Sequence, residues 1–256
     1  MDVSVKGMLK CVGADLSDDQ SVLFRLFGFR RGRVPPDPDP SGVTASVSLR
    51  QMADDLAGNH INVNIIAVGF DTLGGSAGAD ALIEVDYCVY RLRNIYRPVG
   101  LGVGRVLHTE IDEADAKGHG DIRDGEEGRD LWEGFYVDNN GIDAFVVRSI
   151  SGSLAGVSPV GGDCDKQSKD SGLLAGGVDA DDEGISRTLA HEIGHFLGLP
   201  HSGDAIFPLP PFTTDAERET NLMTQSDEVP NVRTTVELTD LQGGWVHRHC
   251  KIREGC

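Results

Sequence analysis

The chain contains no long hydrophobic run. Hydrophobic residues make up 39% of its 256 residues, which is enough for a buried core. No segment approaches the roughly 20 consecutive apolar residues that a helix needs to cross a bilayer. The first residues also show no basic stretch followed by an apolar one, so no signal peptide is visible. We therefore expect a soluble globular protein of one large domain or two small ones.

Basic residues are also few. The chain has 23 Lys and Arg against 41 Asp and Glu, which gives a formal net charge of −18 at pH 7. A charge of this sign repels phosphate backbones and anionic lipid surfaces. We therefore expect no nucleic acid and no membrane as a partner, and we expect a monomer.

The acidic residues themselves leave two alternatives open. Clusters at residues 112–130 and 179–183 offer several carboxylate oxygens, which is the ligand type that Ca²⁺ prefers. The same pattern is typical of a solvated acidic surface with Asp and Glu at helix starts, where the helix dipole favours them.

Cysteine is scarce, and no C-x-x-C pair occurs among the five cysteines. This spacing excludes a zinc ribbon, while up to two disulfides could form in an oxidising compartment. Cys88 lies on the apolar stripe of a predicted helix and is expected in the core. Cys164, Cys250 and Cys256 lie in loop-like or terminal sequence and are the better disulfide candidates.

What the sequence does have is a concentration of histidines in one short stretch, HEIGHFLGLPH at residues 191–201. If this segment begins as a helix, His191 and His195 lie one turn apart on the same face and both rings can reach one cation. Glu192 is poorly placed to bind the same ion. It instead faces a water whose pKa zinc lowers to about 7, and it can accept the proton of that water as general base.

The second half of the stretch predicts a sharp turn. Gly198 has no Cβ and can adopt a left-handed conformation that ends the helix, and Pro200 discourages a return to helix. The turn brings His201 back as a third ligand, which leaves a fourth zinc position for water or a substrate carbonyl. His60, His108, His247 and His249 lack ligand spacing and are predicted to be surface or core residues.

Residues 191–201 match every specified position of H-E-x-x-H-x-x-G-x-x-H, the long signature of metzincin zinc peptidases, and the chain resembles that clan. The sequence NLMT at residues 221–224 is similar to the methionine turn of the clan. The resemblance implies that Met223 forms a hydrophobic floor under the histidines without binding zinc. It also implies a zinc endopeptidase that hydrolyses peptide bonds in proteins or peptides.

Within the clan, the resemblance is to pappalysin-like or matrixin-like enzymes. Ser202 after the third histidine is similar to the matrixins, and LTDLQ at residues 238–242 is similar to the pappalysins. Gln225 stands where astacin-like enzymes have a tyrosine ligand, and the archaemetzincin cysteine cluster is absent around His201. The fragment HGD at residues 119–121 is only weakly similar to the structural-zinc loop of matrixins.

The resemblance also implies a fold and a division of the chain. We expect an α+β catalytic domain at residues 59–256, with an upper subdomain to residue 198 and a lower one from residue 199. The upper part should hold a twisted mixed five-stranded sheet and two long helices above the cleft. The lower part should be mostly irregular with one helix. Residues 1–58, which include a proline-rich linker, are expected to be an N-terminal segment and a possible pro-segment.

Hydrophobic periodicity and turn signals place the elements. The predicted strands are residues 61–68, 102–109, 144–150, 154–160 and 173–178. The predicted helices are residues 81–96, 131–136, a zinc helix from about 183, and a last helix to about 249 that begins with a capping box of Thr239 and Gln242. In metzincins an upper edge strand pairs with the substrate, and residues 154–160 are predicted for that role, with residues 225–232 forming the wall of a side-chain pocket.

Two other functions remain open from the sequence. One is a zinc-binding protein or peptide-binding module without turnover, which the intact Glu192 disfavours. The other is a metal-dependent amidase that acts on a non-peptide substrate. A secreted protein is expected because an unrestrained peptidase endangers its own cell.

Cys11 lies upstream of the catalytic domain. Its thiolate could occupy the open zinc position and keep the enzyme latent, or Cys11 is an ordinary cysteine.

Overall fold

The computed structural model of the protein describes residues 58–69, 79–176, 182–204, 212, 214–225 and 236–255. The predicted N-terminal segment with Cys11, most of the second acidic cluster, the terminal Cys256 and residues 226–232 of the predicted pocket wall lie outside the described residues.

A five-stranded sheet forms the centre of the fold, and its strand order is β2-β1-β4-β7-β6. The first four strands run parallel, whereas the short edge strand β6 is antiparallel to β7. A separate parallel pair is formed by β3 and β5. The strands are β1 His60–Val68, β2 Gly102–Ile111, β3 Asp121–Ile122, β4 Ile142–Val147, β5 Ser149–Ile150, β6 Gly156–Val157 and β7 Gly172–Gly176.

Two long helices and several short ones surround the sheet. The helices are α1 Ala79–Tyr96, α2 Glu113–Ala116, α3 Gly125–Phe135, α4 Asp182–Phe196, α5 Asp215–Arg218 and α6 Asp240–Val246. Since strands and helices alternate and most of the sheet is parallel, the fold is mixed α/β. No helix within the described residues is long and apolar enough to cross a membrane.

Side chains of β1 alternate between two hydrophobic clusters, as the period of a strand requires. Ile61, Val63 and Ile65 belong to the larger cluster, which includes residues of α1 and α4. Ile66 and Val68 belong to the smaller cluster, which includes residues of α3. The central strands are thus buried on both faces, and the larger cluster fixes α4 against the sheet.

Helices α1 and α4 pack directly on each other in this core. The Tyr96 hydroxyl donates a 2.7 Å hydrogen bond to the carbonyl of Ala190, and the Ser186 hydroxyl lies 3.4 Å from the Cys88 sulfur. The prediction that Cys88 is a core residue is confirmed, because it is fully buried. The same contacts anchor the helix that carries His191 and His195.

The five-stranded mixed sheet and the long helix that ends at residue 96 are confirmed, with corrections at several boundaries. The predicted strand 144–150 is interrupted because the backbone N–H of Arg148 donates to Gly120. The predicted helix 131–136 begins earlier, because the Asp124 carboxylate accepts from the backbone of Glu126 and Glu127 and caps α3. The predicted strand 154–160 shortens to the two residues of β6.

The described residues after residue 198 already form two short helices, so the prediction of one helix there is wrong. Helix α5 begins with a capping box of Thr214 and Glu217, and α6 begins with the predicted box of Thr239 and Gln242. Helix α6 ends at Val246, earlier than predicted, and turns continue from there.

The calcium alternative finds no support in the described part of the first acidic cluster. Asp112 caps α2 and Asp124 caps α3, while Glu113 and Asp121 both pair with Arg148. These carboxylates form no group of three potential metal ligands among the described residues. The contacts of these carboxylates agree with the second alternative, an acidic surface with Asp and Glu at helix starts.

Candidate metal centre

Helix α4 places His191 and His195 on one face, one turn apart, at its C-terminal end. Their ring centroids are 4.6 Å apart and the rings meet edge to face. His195 is buried, and His191 is half-buried. The regular spacing of the helix therefore brings two imidazoles close together.

The chain turns back immediately after α4, as the glycine predicts. Gly198 has a φ of +97°, a region that favours glycine, and its N–H donates to His195. A Cβ at Gly198 would lie 2.9 Å from the Trp245 Nε1, which donates to the Gly198 carbonyl. Residue 198 thus needs glycine both for its backbone conformation and for the close approach of the indole.

The turn brings His201 to the other two histidines. Its ring centroid lies 5.4 Å from that of His191 and 4.5 Å from that of His195, and the two Nε2 atoms of His195 and His201 are 3.0 Å apart. One nitrogen from each of the three rings lies within 4.8 Å of the others.

Backbone carbonyls orient two of these rings. The Nδ1 atoms of His191 and His195 lie 2.7 Å from the carbonyls of Leu222 and Leu199, respectively. A neutral imidazole that donates from Nδ1 presents the Nε2 lone pair to a metal, an arrangement typical of metal-ligating histidines. Burial, with smaller electrostatic contributions, lowers the pKa of His191 to about 3 and that of His195 to about 4. Three imidazole nitrogens grouped in this way would suit a zinc ion, which takes nitrogen ligands from histidine.

Glu192 lies beside the first histidine and is almost completely buried, with 5% of its surface exposed. Burial raises the pKa of its carboxyl to about 8. A cation bound by the neighbouring histidines would act in the opposite direction and favour the carboxylate. The charge of this carboxyl group therefore depends on its surroundings.

Met223 lies under α4 and is fully buried. A Cβ at Gly194, between the first two histidines, would lie 2.6 Å from the Met223 sulfur. The backbone N–H of Met223 donates to the Asn221 side chain, and its carbonyl accepts from the backbone of Ser202. The methionine segment therefore contacts both the zinc-motif helix and the chain just after His201.

A cleft of about 530 Å³ opens over the three histidines and Glu192. Residues 154–158 form one side, so the predicted edge strand reaches the cleft although only two of its residues pair in the sheet. Gln225, the first residue of the predicted pocket wall, also lines it. Leu154 is 52% exposed at this side and offers an apolar contact.

Two further cleft residues were missed by the sequence reasoning. Arg187 and Thr188 line the cleft one turn before His191 and Glu192. The Arg187 guanidinium donates a 2.9 Å hydrogen bond to the Thr224 carbonyl, which links α4 to the methionine segment. Each residue lies one helical turn before His191 or Glu192, and this spacing could have identified both from the sequence.

Two further histidines and two cysteines lie outside the three-histidine group. His247 contacts the carbonyl of Val99 and His249 that of Gly162, at 2.9 Å each. Cys164 and Cys250 form a disulfide, which confirms two of the three predicted disulfide candidates. His249 lies within reach of both sulfurs, but their disulfide bond leaves no thiolate to bind a metal.

No protein-family model matches the chain, and a search of curated proteins gave no match. Among solved structures, the chain is similar to the crystal structure of archaemetzincin from Methanopyrus kandleri, with 15% sequence identity and a TM-score of 0.46. The alignment covers 73% of this chain and 94% of that one. Values at this level do not assign a family, so the chemistry rests on the side chains in the cleft.

Proposed function

We propose that the protein is a zinc-dependent peptidase that cleaves within peptide chains. The observation that carries this proposal is the convergence of His191, His195 and His201 beside the buried Glu192 at the floor of an open cleft. Nitrogen ligands from three histidines favour zinc, and they leave one position for the reaction.

The proposed chemistry is hydrolysis of an amide bond. The three histidines would hold a zinc ion, whose positive charge would acidify a water molecule and polarise the scissile carbonyl. Glu192 accepts a proton from the water as the oxygen bonds to the carbonyl carbon. The carboxyl then returns this proton to the amide nitrogen as the C–N bond breaks, which gives a carboxylic acid and an amine.

The position of β6 supports a peptide substrate. Within the part of the chain that the structure describes, β6 is the last strand of the sheet and pairs only with β7, and its residues line the cleft. A peptide could add along the other side of β6 through backbone hydrogen bonds, which bind an extended chain with little regard to sequence. The pappalysin-like or matrixin-like subfamily, the secreted location and the monomeric state stay predictions.

The first experiment measures zinc content and peptide cleavage together. The purified chain should bind one zinc and digest a denatured protein, and a chelator should abolish the digestion until zinc is restored. Zinc binding without cleavage of any peptide would support a binding protein or an amidase and contradict the peptidase. Profiling of cleavage products would then give the preferred sequence.

A second experiment separates the base from the ligands. Glu192→Ala should keep the zinc and the fold while the rate falls about 10²–10⁴-fold, since only the proton acceptor is lost. His201→Ala should weaken zinc binding, because one of three ligands is missing. If Glu192→Ala retains near-normal activity, or loses zinc as readily as His201→Ala, the proposed roles are wrong.

A further inference from the structure

We propose that Gly156 is a positioning residue for Glu192: its missing side chain lets strand β6 lie directly on the glutamate and hold the carboxylate towards the three histidines. This inference rests on the proposed function, because it concerns the general base of the same site.

The contact between the two residues is unusually close. A Cβ at Gly156 would lie 2.5 Å from the Glu192 Oε1, 2.6 Å from its Cγ and 2.7 Å from its Cδ. Separations under 3.0 Å are not tolerated between a real Cβ and another heavy atom, so something would have to move. The backbone at residue 156 therefore occupies the space that confines the glutamate side chain.

Gly156 is required for space and not for backbone conformation. The glycines with positive φ are at other positions, and Gly156 pairs with Ala175 as an ordinary strand residue. Glycine weakens a strand because it adds conformational entropy and packs no side chain, and it is typical of places where another group approaches closely. Here the approaching group is the Glu192 side chain.

Backbone hydrogen bonds anchor the chain both before and after β6, so the strand cannot simply move away from Glu192. Before it, the Ala155 carbonyl accepts a 2.7 Å hydrogen bond from Gly176. After it, the backbone N–H groups of Gly161 and Gly162 donate to the carbonyls of His195 and Phe196 at 2.9 and 2.8 Å. The glutamate side chain is the flexible partner, and an added methyl group would displace its carboxylate.

No hydrogen bond among the described residues ends on the Glu192 oxygens. Packing therefore limits the orientation of this side chain, and Gly156 provides a close packing contact to its carboxyl group. Catalytic groups need their position fixed to within about 0.5 Å, so this packing is functionally important.

The test begins with Gly156→Ala and measures kcat and KM separately. Displacement of the base should lower kcat about 10²-fold, as misplacement by about 1 Å does elsewhere, while KM changes little and one zinc stays bound. The matched control is Gly134→Ala in α3, where a Cβ would meet nothing within 4 Å, and it should leave kcat unchanged. Unchanged kcat in Gly156→Ala would overturn the positioning role.

A stability cycle supplies a readout that does not depend on activity. Gly156→Ala should lower the melting temperature in the native background but not in a Glu192→Ala background, because the side chain that it meets is gone. This comparison of the two backgrounds also tests the proposal if the Gly156→Ala single variant folds poorly. An equal loss in both backgrounds would show that Gly156 serves only the strand and would overturn the proposal.

Failure of this inference is distinguishable from failure of the proposed function. A native chain that binds zinc but cleaves no peptide contradicts the peptidase. An active native chain whose kcat is insensitive to Gly156→Ala contradicts only the positioning role.

Discussion

At the residue scale, Gly194 shows how closely the methionine floor approaches the zinc-motif helix. Glycine inside a helix normally costs about 0.5–1 kcal/mol relative to alanine. Here a Cβ would lie 2.6 Å from the sulfur of Met223 and 3.3 Å from its terminal carbon, and Met223 belongs to the larger hydrophobic cluster. Glycine at position 194 is therefore explained by the close packing of Met223 against the helix, despite its low helix propensity.

We predict that Gly194→Ala destabilises the protein by about 1–3 kcal/mol, the usual cost of overpacking a core, despite the better helix propensity of alanine. Zinc affinity should fall as well, because residue 194 lies between two ligands. Urea unfolding and a zinc titration would measure the two effects. Gly134→Ala, which meets nothing within 4 Å, is the control and should show neither. A Gly194→Ala protein as stable as its parent would mean that Met223 is not a tightly packed floor.

The individual site residues differ in how far sequence could identify them. His191 and His195 follow from helical spacing, and Gly198 from its position before a proline turn. The carbonyls of Leu222 and Leu199 that orient the rings could not be predicted, because backbone acceptors leave no mark on the side-chain pattern. The contact of Gly156 with Glu192 depends on the register of a short strand, which only the folded chain determines.

At the element scale, helix α6 supports the methionine segment through one pair of amides. The Asn221 Nδ2 donates to the Gln242 Oε1 at 2.8 Å, and the Gln242 Nε2 donates back to the Asn221 Oδ1 at 3.2 Å. The same Asn221 oxygen accepts from the backbone of Met223 at 3.0 Å. Gln242 is also the capping-box residue of α6, so the start of that helix and the methionine turn share one buried side chain.

Removal of this link should therefore cost more than an ordinary cap. We predict that Asn221→Ala destabilises the protein by about 1–3 kcal/mol for each of the two buried donors left unpaired, the Gln242 amide and the Met223 N–H. Zinc should bind more weakly, because the floor under the ligands loosens. Chemical unfolding with and without zinc would measure both.

The control for that variant is the cap of the exposed helix α5. Thr214→Ala removes a capping box of the same type and should cost about 0.5–2 kcal/mol without any effect on zinc. If Thr214→Ala weakens zinc binding as much as Asn221→Ala does, then a general loss of stability explains the weaker zinc binding. The proposed link from the Asn221–Gln242 pair to the zinc site would then be wrong.

Elements with strong local signals were predictable, and those decided by distant contacts were not. The apolar run of β1, the helical spacing of apolar residues in α1 and the Thr239 cap of α6 were predicted from adjacent residues. The short length of β6 could not be, since it depends on pairing with the distant strand β7, and only Gly156 and Val157 form such pairs. Helix α5 is only four residues long and buries no side chain, so it has no hydrophobic period to detect.

At the scale of the whole molecule, the C-terminal residues are fastened to several distant parts of the chain. His60 at the start of β1 and Arg253 exchange two backbone hydrogen bonds, and Trp245 donates to Gly198 at the end of the zinc-motif helix. The Cys164–Cys250 disulfide adds a covalent link to the loop whose glycines bond the last carbonyls of α4. The end of that helix is therefore held from two sides.

The disulfide should accordingly contribute strongly to stability and little to the chemistry. The two cysteines are 86 residues apart, and closing a loop of that length stabilises a fold by about 4–5 kcal/mol in the chain-entropy relation. We predict a loss of this order for the double variant Cys164→Ser and Cys250→Ser, measured by guanidinium unfolding. Because neither sulfur belongs to the three-histidine group, the folded variant should still bind one zinc. A dithiol reductant should destabilise the native chain and leave the double variant unchanged, and an equal response of both would show that the link is not the source of the stability.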